Sequence, residues 1–363
     1  MSTNGQRIRV GIVGLGRSGW NIHAKTILAL RDKFELAAVT DPASDRRAEA
    51  VASSGCRAYE DFESLANDKS IELIVVASPN RLHTEHAIAA MRAGKHVVCE
   101  KPFALSTDDA DRMIDASEET NRVLVPFQNR RYEPHLIKVR EVMDSGVLGQ
   151  IVQVRVTWHL FGRRWDWQTL RDFGGGSLNN NGSHLLDHAL YVFGDGEPQV
   201  WADLKRTPLT SGDAEDHVKI ILYGEGRPTV DMELTNAAAY PQDRWHVMGT
   251  SGGLRGSGEH LEWKWVDFDG MPPRPVDRRP AEGRAYNSEP LEWNTETWDA
   301  PTDARPAAEL LYADVYDAIR HGKPHPVTPQ SVRRLISVME QCRDCSLSLP
   351  RGKGGVRGET SDC

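Results

Sequence analysis

Arg9-Val10-Gly11-Ile12-Val13-Gly14-Leu15-Gly16-Arg17-Ser18-Gly19 is the stretch that decides the fold. Arg9 to Val13 reads as a buried strand, and a helical pattern through Ile22, Ile27, Leu28 and Leu30 follows the glycines. Strand, tight turn and helix form the setting in which G-x-G-x-x-G holds a dinucleotide. Gly14 and Gly16 permit the turn and a close approach of main chain to a pyrophosphate. Gly19 lets helix and strand pack closely, and the helix N-terminus favours the anion. Arg17 and Ser18 share the turn and count with it as cofactor contacts. A glycine turn with a purely structural role is the competing reading.

Further along, Glu35 to Thr40 reads as a strand ending in Asp41. An acid about 20 residues past such a fingerprint accepts hydrogen bonds from the adenosine ribose. It also repels a 2′-phosphate, which favours NAD over NADP. The alternative is that Asp41-Pro42 only opens a turn. Arg46 and Arg47 lie close enough to soften the preference, unless they belong to a solvated helix face. Leu73 to Ala77 is a third strand and runs into Ser78-Pro79-Asn80; His83 to Ala93 has helical spacing, with Gly94 as its cap. Val97-Val98-Cys99 is a fourth apolar run, stopped by Glu100-Lys101-Pro102. Ligands bind beyond the carboxyl ends of such parallel strands. A right-handed crossover puts Ser78, Asn80 and Lys101 on the same sheet edge as the glycine turn. An ordinary surface ion pair is the bland reading of Glu100-Lys101. Ser106 to Asp109 caps a helix, Val123 to Phe127 closes the sheet, and Gln128-Asn129-Arg130-Arg131 leaves its end.

With 363 residues the chain suits two domains rather than one core. A net charge of −8 gives no basic face for nucleic acid. No apolar run approaches the roughly 20 residues of a membrane span, and Met1 to Gln6 lacks a signal-peptide core, so a cytoplasmic protein is expected. Five scattered cysteines argue against a disulfide framework, and the lone C-x-x-C of Cys342 and Cys345 is no zinc site without further ligands, so no metal is expected.

Beyond a linking helix at Pro134 to Met143, strands are expected at Gln150 to Trp158, Val200 to Arg206, His217 to Tyr223, Thr229 to Thr235, Arg244 to Gly249 and Leu261 to Phe268. Consecutive strands without intervening helices suggest an antiparallel sheet. Met271 to Pro306 reads as an excursion or surface loop, Ala307 to Arg320 and Gln330 to Ser346 as helices, and the residues after Pro350 as a disordered tail. Two stretches carry chemistry. Phe161 to Trp167 contains Arg163, Trp165 and Trp167, a combination that suits a carbohydrate: indole packs on a ring face and arginine on hydroxyls. Both tryptophans equally suit a core or a subunit contact. Gly174 to Gly176 permits close backbone approach, and Leu178 to Phe193 reads as one helix, which places Asn180 and His184 on a shared face. Asp187 lies nearer the helix interior and reads as structural.

The glycine turn, Ser78-Pro79-Asn80 with His83, Gly94-Lys95-His96-Val97 and Glu100-Lys101-Pro102 together resemble the Gfo/Idh/MocA oxidoreductases, which are sugar, inositol and related dehydrogenases. The resemblance covers nearly the whole chain. It implies an NAD-binding Rossmann domain over 1–127, followed over 128–350 by an α+β domain with an open, mostly antiparallel sheet, and a tail at 351–363. It implies a homodimer or homotetramer formed through that sheet, and a small carbohydrate as substrate. Lys101 is implied beside the nicotinamide and the reacting hydroxyl, on a tight turn with a cis Lys101–Pro102 bond. Ser78, Pro79, Asn80, His83, Glu100 and Asn129 are implied cofactor contacts, with Glu100 holding Lys101 or touching the cofactor. His184 is implied at the active site, with Asn180 where the family commonly carries Asp; an amide orients a hydroxyl but is no carboxylate base. The expected activity is NAD-dependent oxidation of a secondary hydroxyl of a sugar, glycoside or cyclitol, with Lys101 and His184 sharing proton removal. A redox-neutral glycosidase or lyase that recycles its NAD, and a non-catalytic NAD- and sugar-binding regulator, are the rival readings.

Overall fold

The computed structural model describes residues 7–279 and 286–346. The tail expected at 351–363 lies outside them. Six short, apolar strands build the first sheet: β1 (Ile8–Val13), β2 (Phe34–Thr40), β3 (Arg57–Tyr59), β4 (Leu73–Val76), β5 (His96–Cys99) and β6 (Leu124–Pro126). All its pairings are parallel, in the order β3-β2-β1-β4-β5-β6. Helices α1 (Lys25–Ala29), α2 (Ser44–Ser54), α3 (Phe62–Asn67), α4 (His83–Arg92) and α5 (Thr107–Thr120) connect its strands. Strands covered on both faces are apolar throughout, which is why β4 is wholly buried. The register aligns Val13 with Val76 and Val76 with Cys99. Gly14, Ala77 and Glu100 therefore leave the sheet side by side, at the switch between β1 and β4 where ligand crevices form.

The glycine turn is tight for identifiable reasons. Gly14 has φ +91°, and a Cβ there would stand 2.5 Å from the Ala77 carbonyl oxygen. A Cβ on Gly19 would stand 1.8 Å from the Gly14 oxygen. A Cβ on Gly16 would meet nothing within 4 Å, so that glycine borders open space. The helix that follows begins as a π-helical turn over Gly19–Ala24 before α1.

After α6 (Pro134–Asp144), eight strands form the second sheet: β7 (Ile151–His159), β8 (Gln199–Lys205), β9 (His217–Tyr223), β10 (Thr229–Thr235), β11 (Trp245–Gly249), β12 (Gly252–Gly256), β13 (His260–Trp265) and β14 (Asn294–Asp299). Their order is β14-β13-β12-β11-β7-β10-β9-β8, antiparallel except for β7 with β10. Helices α7 (Ser183–Phe193) and α9 (Pro329–Cys345) share one core with the inward-facing residues of this sheet. Three strands were not expected from the sequence: β3, β12 and β14. The last lies inside the stretch read as a surface loop and pairs with β13 from His260–Asp299 to Trp265–Asn294. Helix α8 (Ala307–His321) returns to the first sheet, where Leu311, Tyr312 and Val315 cluster with Ile8, Val10 and Phe34.

The helix expected from Leu178 is a second correction. Leu178–Gly182 is a π-helical turn, and the α-helix begins at Ser183. The Gly182 N–H donates to the Ser177 carbonyl at 2.8 Å, and a Cβ on Gly182 would stand 2.7 Å from that same oxygen. Glycine is what lets the wider turn close. The Lys101–Pro102 peptide bond is cis. Among the described residues no helix is long and apolar enough to cross a membrane, and no group of three or more His, Cys, Asp or Glu is placed to hold a metal ion.

Candidate active site

The cleft between the two sheets is lined by Asn80, Lys101, Pro102, Gln168, Gly174 to Gly176, Asn179 and Asn180. Lys101 enters it from the end of β5. Its Nζ donates to Asn180 Oδ1 at 2.8 Å. Asn180 Nδ2 donates in turn to Gln168 Oε1 at 3.3 Å, which also accepts from Arg164 Nη2 at 2.6 Å. The glycine run makes this wall possible: a Cβ on Gly175 would stand 2.4 Å from the Gln168 carbonyl, and one on Gly176 would stand 2.3 Å from the Glu215 carboxylate.

His184 is buried, and its Nδ1 donates to Gln128 Oε1 at 2.9 Å. That bond leaves Nε2 as the lone-pair nitrogen. Burial first, then the positive charges of Lys101, Arg130 and Arg244, push its pKa well below the ordinary histidine value, so the ring is neutral. Burial also pushes the Lys101 amine down; Glu100 opposes this, while Arg130, Arg17 and Arg164 add to it. The site therefore holds a lysine eased toward its free-base form beside a neutral imidazole.

Glu100 is nearly fully buried. Its Oε2 accepts from the main-chain N of Lys101 at 2.8 Å, and its Oε1 lies 3.1 Å from His23 Nε2. His23 Nδ1 lies 2.7 Å from the Tyr312 hydroxyl. Burial pushes the carboxyl up, but His23 and Lys101 outweigh it and hold it below the usual range. Glu100 thus fixes the main chain of Lys101 rather than its amine, and a buried chain of three side chains anchors it to α8.

His83 is buried, with its ring nitrogens 2.8 Å from the Pro102 oxygen and 2.9 Å from the Ser78 oxygen, so it sits between the two strand-end turns. Ser78 Oγ lies 3.0 Å from His86 Nδ1, and Asn80 Nδ2 donates to the Gly174 oxygen at 3.1 Å. Pro79 leads into the Asn80 turn, Asn129 opens the turn after β6, and Ser18 precedes Gly19. Asp41 is buried, and accepts from the Leu15 N–H at 2.7 Å and the Ala43 N–H at 2.9 Å. Arg46 stands 3.6 Å from its Oδ2, whereas Arg47 donates to the Asp41 carbonyl at 2.7 Å.

Trp165 is 76% exposed and Trp167 44% exposed, so neither fills the core. Neither they nor the exposed Arg163 line the cleft; their neighbour Gln168 does. Asp187 pairs with Arg131 and is structural. Sequence reasoning left Gln128, Gln168, Arg244, His23 and Tyr312 unassigned. Gln128 lies in the polar segment leaving β6 and Gln168 borders the tryptophan pair, so both had a local signal. The other three had none.

Residues 8–127 match the model of an oxidoreductase family with an NAD-binding Rossmann fold, and residues 136–255 match that of the GFO/IDH/MocA C-terminal domain. A myo-inositol 2-dehydrogenase from Thermotoga maritima is 30% identical over 68% of this chain and 74% of its own. A D-glucoside 3-dehydrogenase from Escherichia coli is 34% identical over 52% of this chain and 54% of its own. The solved structure of an NAD-binding protein from Listeria innocua superposes with a TM-score of 0.78 at 26% identity, covering 94% of this chain and 95% of that one.

Proposed function

The chain belongs to the Gfo/Idh/MocA oxidoreductase family, and from that premise we propose that it oxidises a secondary hydroxyl of a sugar, glycoside or cyclitol with NAD. The observation that supports this most is the Lys101–Asn180 contact beside neutral His184, on the sheet edge that carries the glycine turn. The open space at Gly16 and the tight packing at Gly14 and Gly19 fit a dinucleotide laid across that edge. The glycine turn and Asp41 would hold NAD, which would supply the hydride acceptor for the carbinol carbon. The protein handles the proton. Lys101 Nζ, eased toward its neutral form, accepts it from the hydroxyl, with His184 Nε2 as the second acceptor. Asn180 orients the hydroxyl, and the Glu100–His23–Tyr312 chain fixes the main chain that carries Lys101. Relatives named as inositol and glucoside dehydrogenases support a polyhydroxy ring as substrate. The test is a panel of sugars, glycosides and cyclitols with enzyme and NAD, followed by nicotinamide absorbance. Net NADH with at least one is expected; turnover without net NADH, or tight NAD binding with no turnover, overturns the reading.

Asp41 favours NAD, because a 2′-phosphate would meet a buried carboxylate. Asp41→Asn keeps an oxygen for the Leu15 N–H but removes the charge. It is expected to shift the NAD-to-NADP ratio of kcat/KM toward NADP by about tenfold, the ratio that roughly 1.4 kcal/mol supplies. A wild-type enzyme that prefers NADP contradicts the assignment. The sheet face turned away from α7 and α9 carries Trp201, 46% exposed, beside the Arg155–Asp231–Lys219 ion pairs. We assign it to a homodimer or homotetramer of a cytoplasmic protein; a monomer in sedimentation equilibrium refutes that assembly.

A further inference from the structure

We propose that the substrate carries an anionic substituent, a carboxylate or a phosphate, and that Arg244 receives it. This rests on the dehydrogenase reading of the same cleft. Four arginines act by charge on Lys101 or His184: Arg17 in the glycine turn, Arg130 in the turn after β6, Arg164 in the loop after β7, and Arg244 just before β11. The charges of Arg130, Arg17 and Arg164 act on Lys101, and those of Arg130 and Arg244 on His184.

Three of the four are already accounted for. Arg17 belongs to the turn assigned to the pyrophosphate. Arg164 donates from Nε to Asp166 Oδ2 at 3.0 Å and from Nη2 to Gln168 at 2.6 Å. Arg130 pairs with Glu133. Arg244 differs. It is partly buried, has no ion pair within 4.0 Å among the described residues, and its buried Nε has no partner. Its Nη1 donates to the Thr157 carbonyl at 3.2 Å. Glu133 is the acid that acts on it, yet Glu133 already accepts from Arg130 and lies 2.9 Å from the His135 ring. One carboxylate thus faces two guanidiniums. Burial pushes Arg244 down to about 10, with Glu133 opposing and Arg130 adding.

A guanidinium largely withdrawn from water with a donor unused is costly until an anion meets it. Its planar fork matches a carboxylate or a phosphate. Trp158 argues against a neutral stacking site here, because the guanidinium carbons of Arg130 and Arg244 each lie 4.7 Å from its ring centroid. That stacking also holds the guanidiniums in place. His188 Nε2 donates to the Arg130 carbonyl at 3.1 Å, one helical turn from His184, which ties this cluster to the reacting end of α7.

The experiment compares kcat/KM of the full-length enzyme with NAD across matched sets: each neutral hexose, its uronic acid and its 6-phosphate, with inositol beside inositol 1-phosphate. At least one anionic member is expected to exceed its neutral counterpart by about 30-fold or more, the range of a desolvated charge pair; the uronate and phosphate arms identify which group it is. Arg244→Gln should erase that advantage through KM, with kcat little changed, and Arg244→Lys should restore part of it. Turnover of neutral sugars equal to or above the anionic ones overturns the proposal while leaving the dehydrogenase reading intact. So does Arg244→Gln lowering both classes alike. No turnover with any member overturns the dehydrogenase reading and this proposal with it.

Discussion

Lys101→Met is expected to lower kcat for alcohol oxidation by at least about 10²-fold, the minimum contribution of a positioned general base. Methionine keeps the buried stem but removes the amine that donates to Asn180. The surroundings of the side chain survive, because Glu100 holds Lys101 through its main-chain N–H. NAD affinity, measured by calorimetric titration, should change little, because the glycine turn after β1 and Asp41 after β2 are left intact. A variant that keeps more than about a tenth of the wild-type rate rules out Lys101 as the base. A variant that loses NAD binding along with turnover makes the lysine a cofactor anchor instead.

The nucleotide-binding half was legible because its determinants are local. Buried parallel strands are continuous apolar runs, and Gly14 and Gly19 of the fingerprint each relieve a clash within the fold, while Gly16 borders open space. The missed strands lack such marks. β3 is three residues at a sheet edge, two of them exposed. β12 is Gly-Gly-Leu-Arg-Gly, a composition that signals a turn, and its pairing comes from neighbours on both sides. β14 is an exposed polar edge strand without apolar alternation. The π-helical turn at Leu178–Gly182 was invisible for another reason: the residue pattern does not encode whether an N–H reaches four or five residues back. Site residues divide the same way. Lys101 and His184 stand in recognisable segments, whereas His23 and Tyr312 meet from 289 residues apart and Arg244 meets Trp158 only through the second sheet's pairing. Chemistry that depends on such meetings belongs to the tertiary structure.

Asn180 stands where the resemblance implies an aspartate, and its contacts give the substitution a geometry. Its Oδ1 accepts from Lys101 Nζ at 2.8 Å, so a carboxylate in its place would touch the base directly. An opposite charge at such a distance favours the ammonium and raises its pKa by about 1–3 units. The amide supplies no charge, so burial and the neighbouring arginines act on Lys101 with only Glu100 opposing them. Asn180→Asp is therefore expected to move the acid limb of the kcat/KM profile for oxidation upward by about 1–3 pH units, because the base stays protonated longer. Rate at neutral pH should fall accordingly, while the high-pH plateau stays within reach of wild type, since hydroxyl positioning needs only the retained oxygen. Two groups this close titrate as a pair, so the shifted limb belongs to the pair rather than to Lys101 alone. Gln168 adds to the effect: its Oε1 accepts from Asn180 Nδ2 at 3.3 Å, and a carboxylate loses that donor and meets an acceptor instead. That repulsion turns the new carboxylate toward Lys101, which strengthens the coupling. The measurement is a pH–rate series on both proteins with the best substrate found. An acid limb that stays in place or moves to lower pH means that Asn180 is not coupled to the base, and the proton then passes through His184 alone.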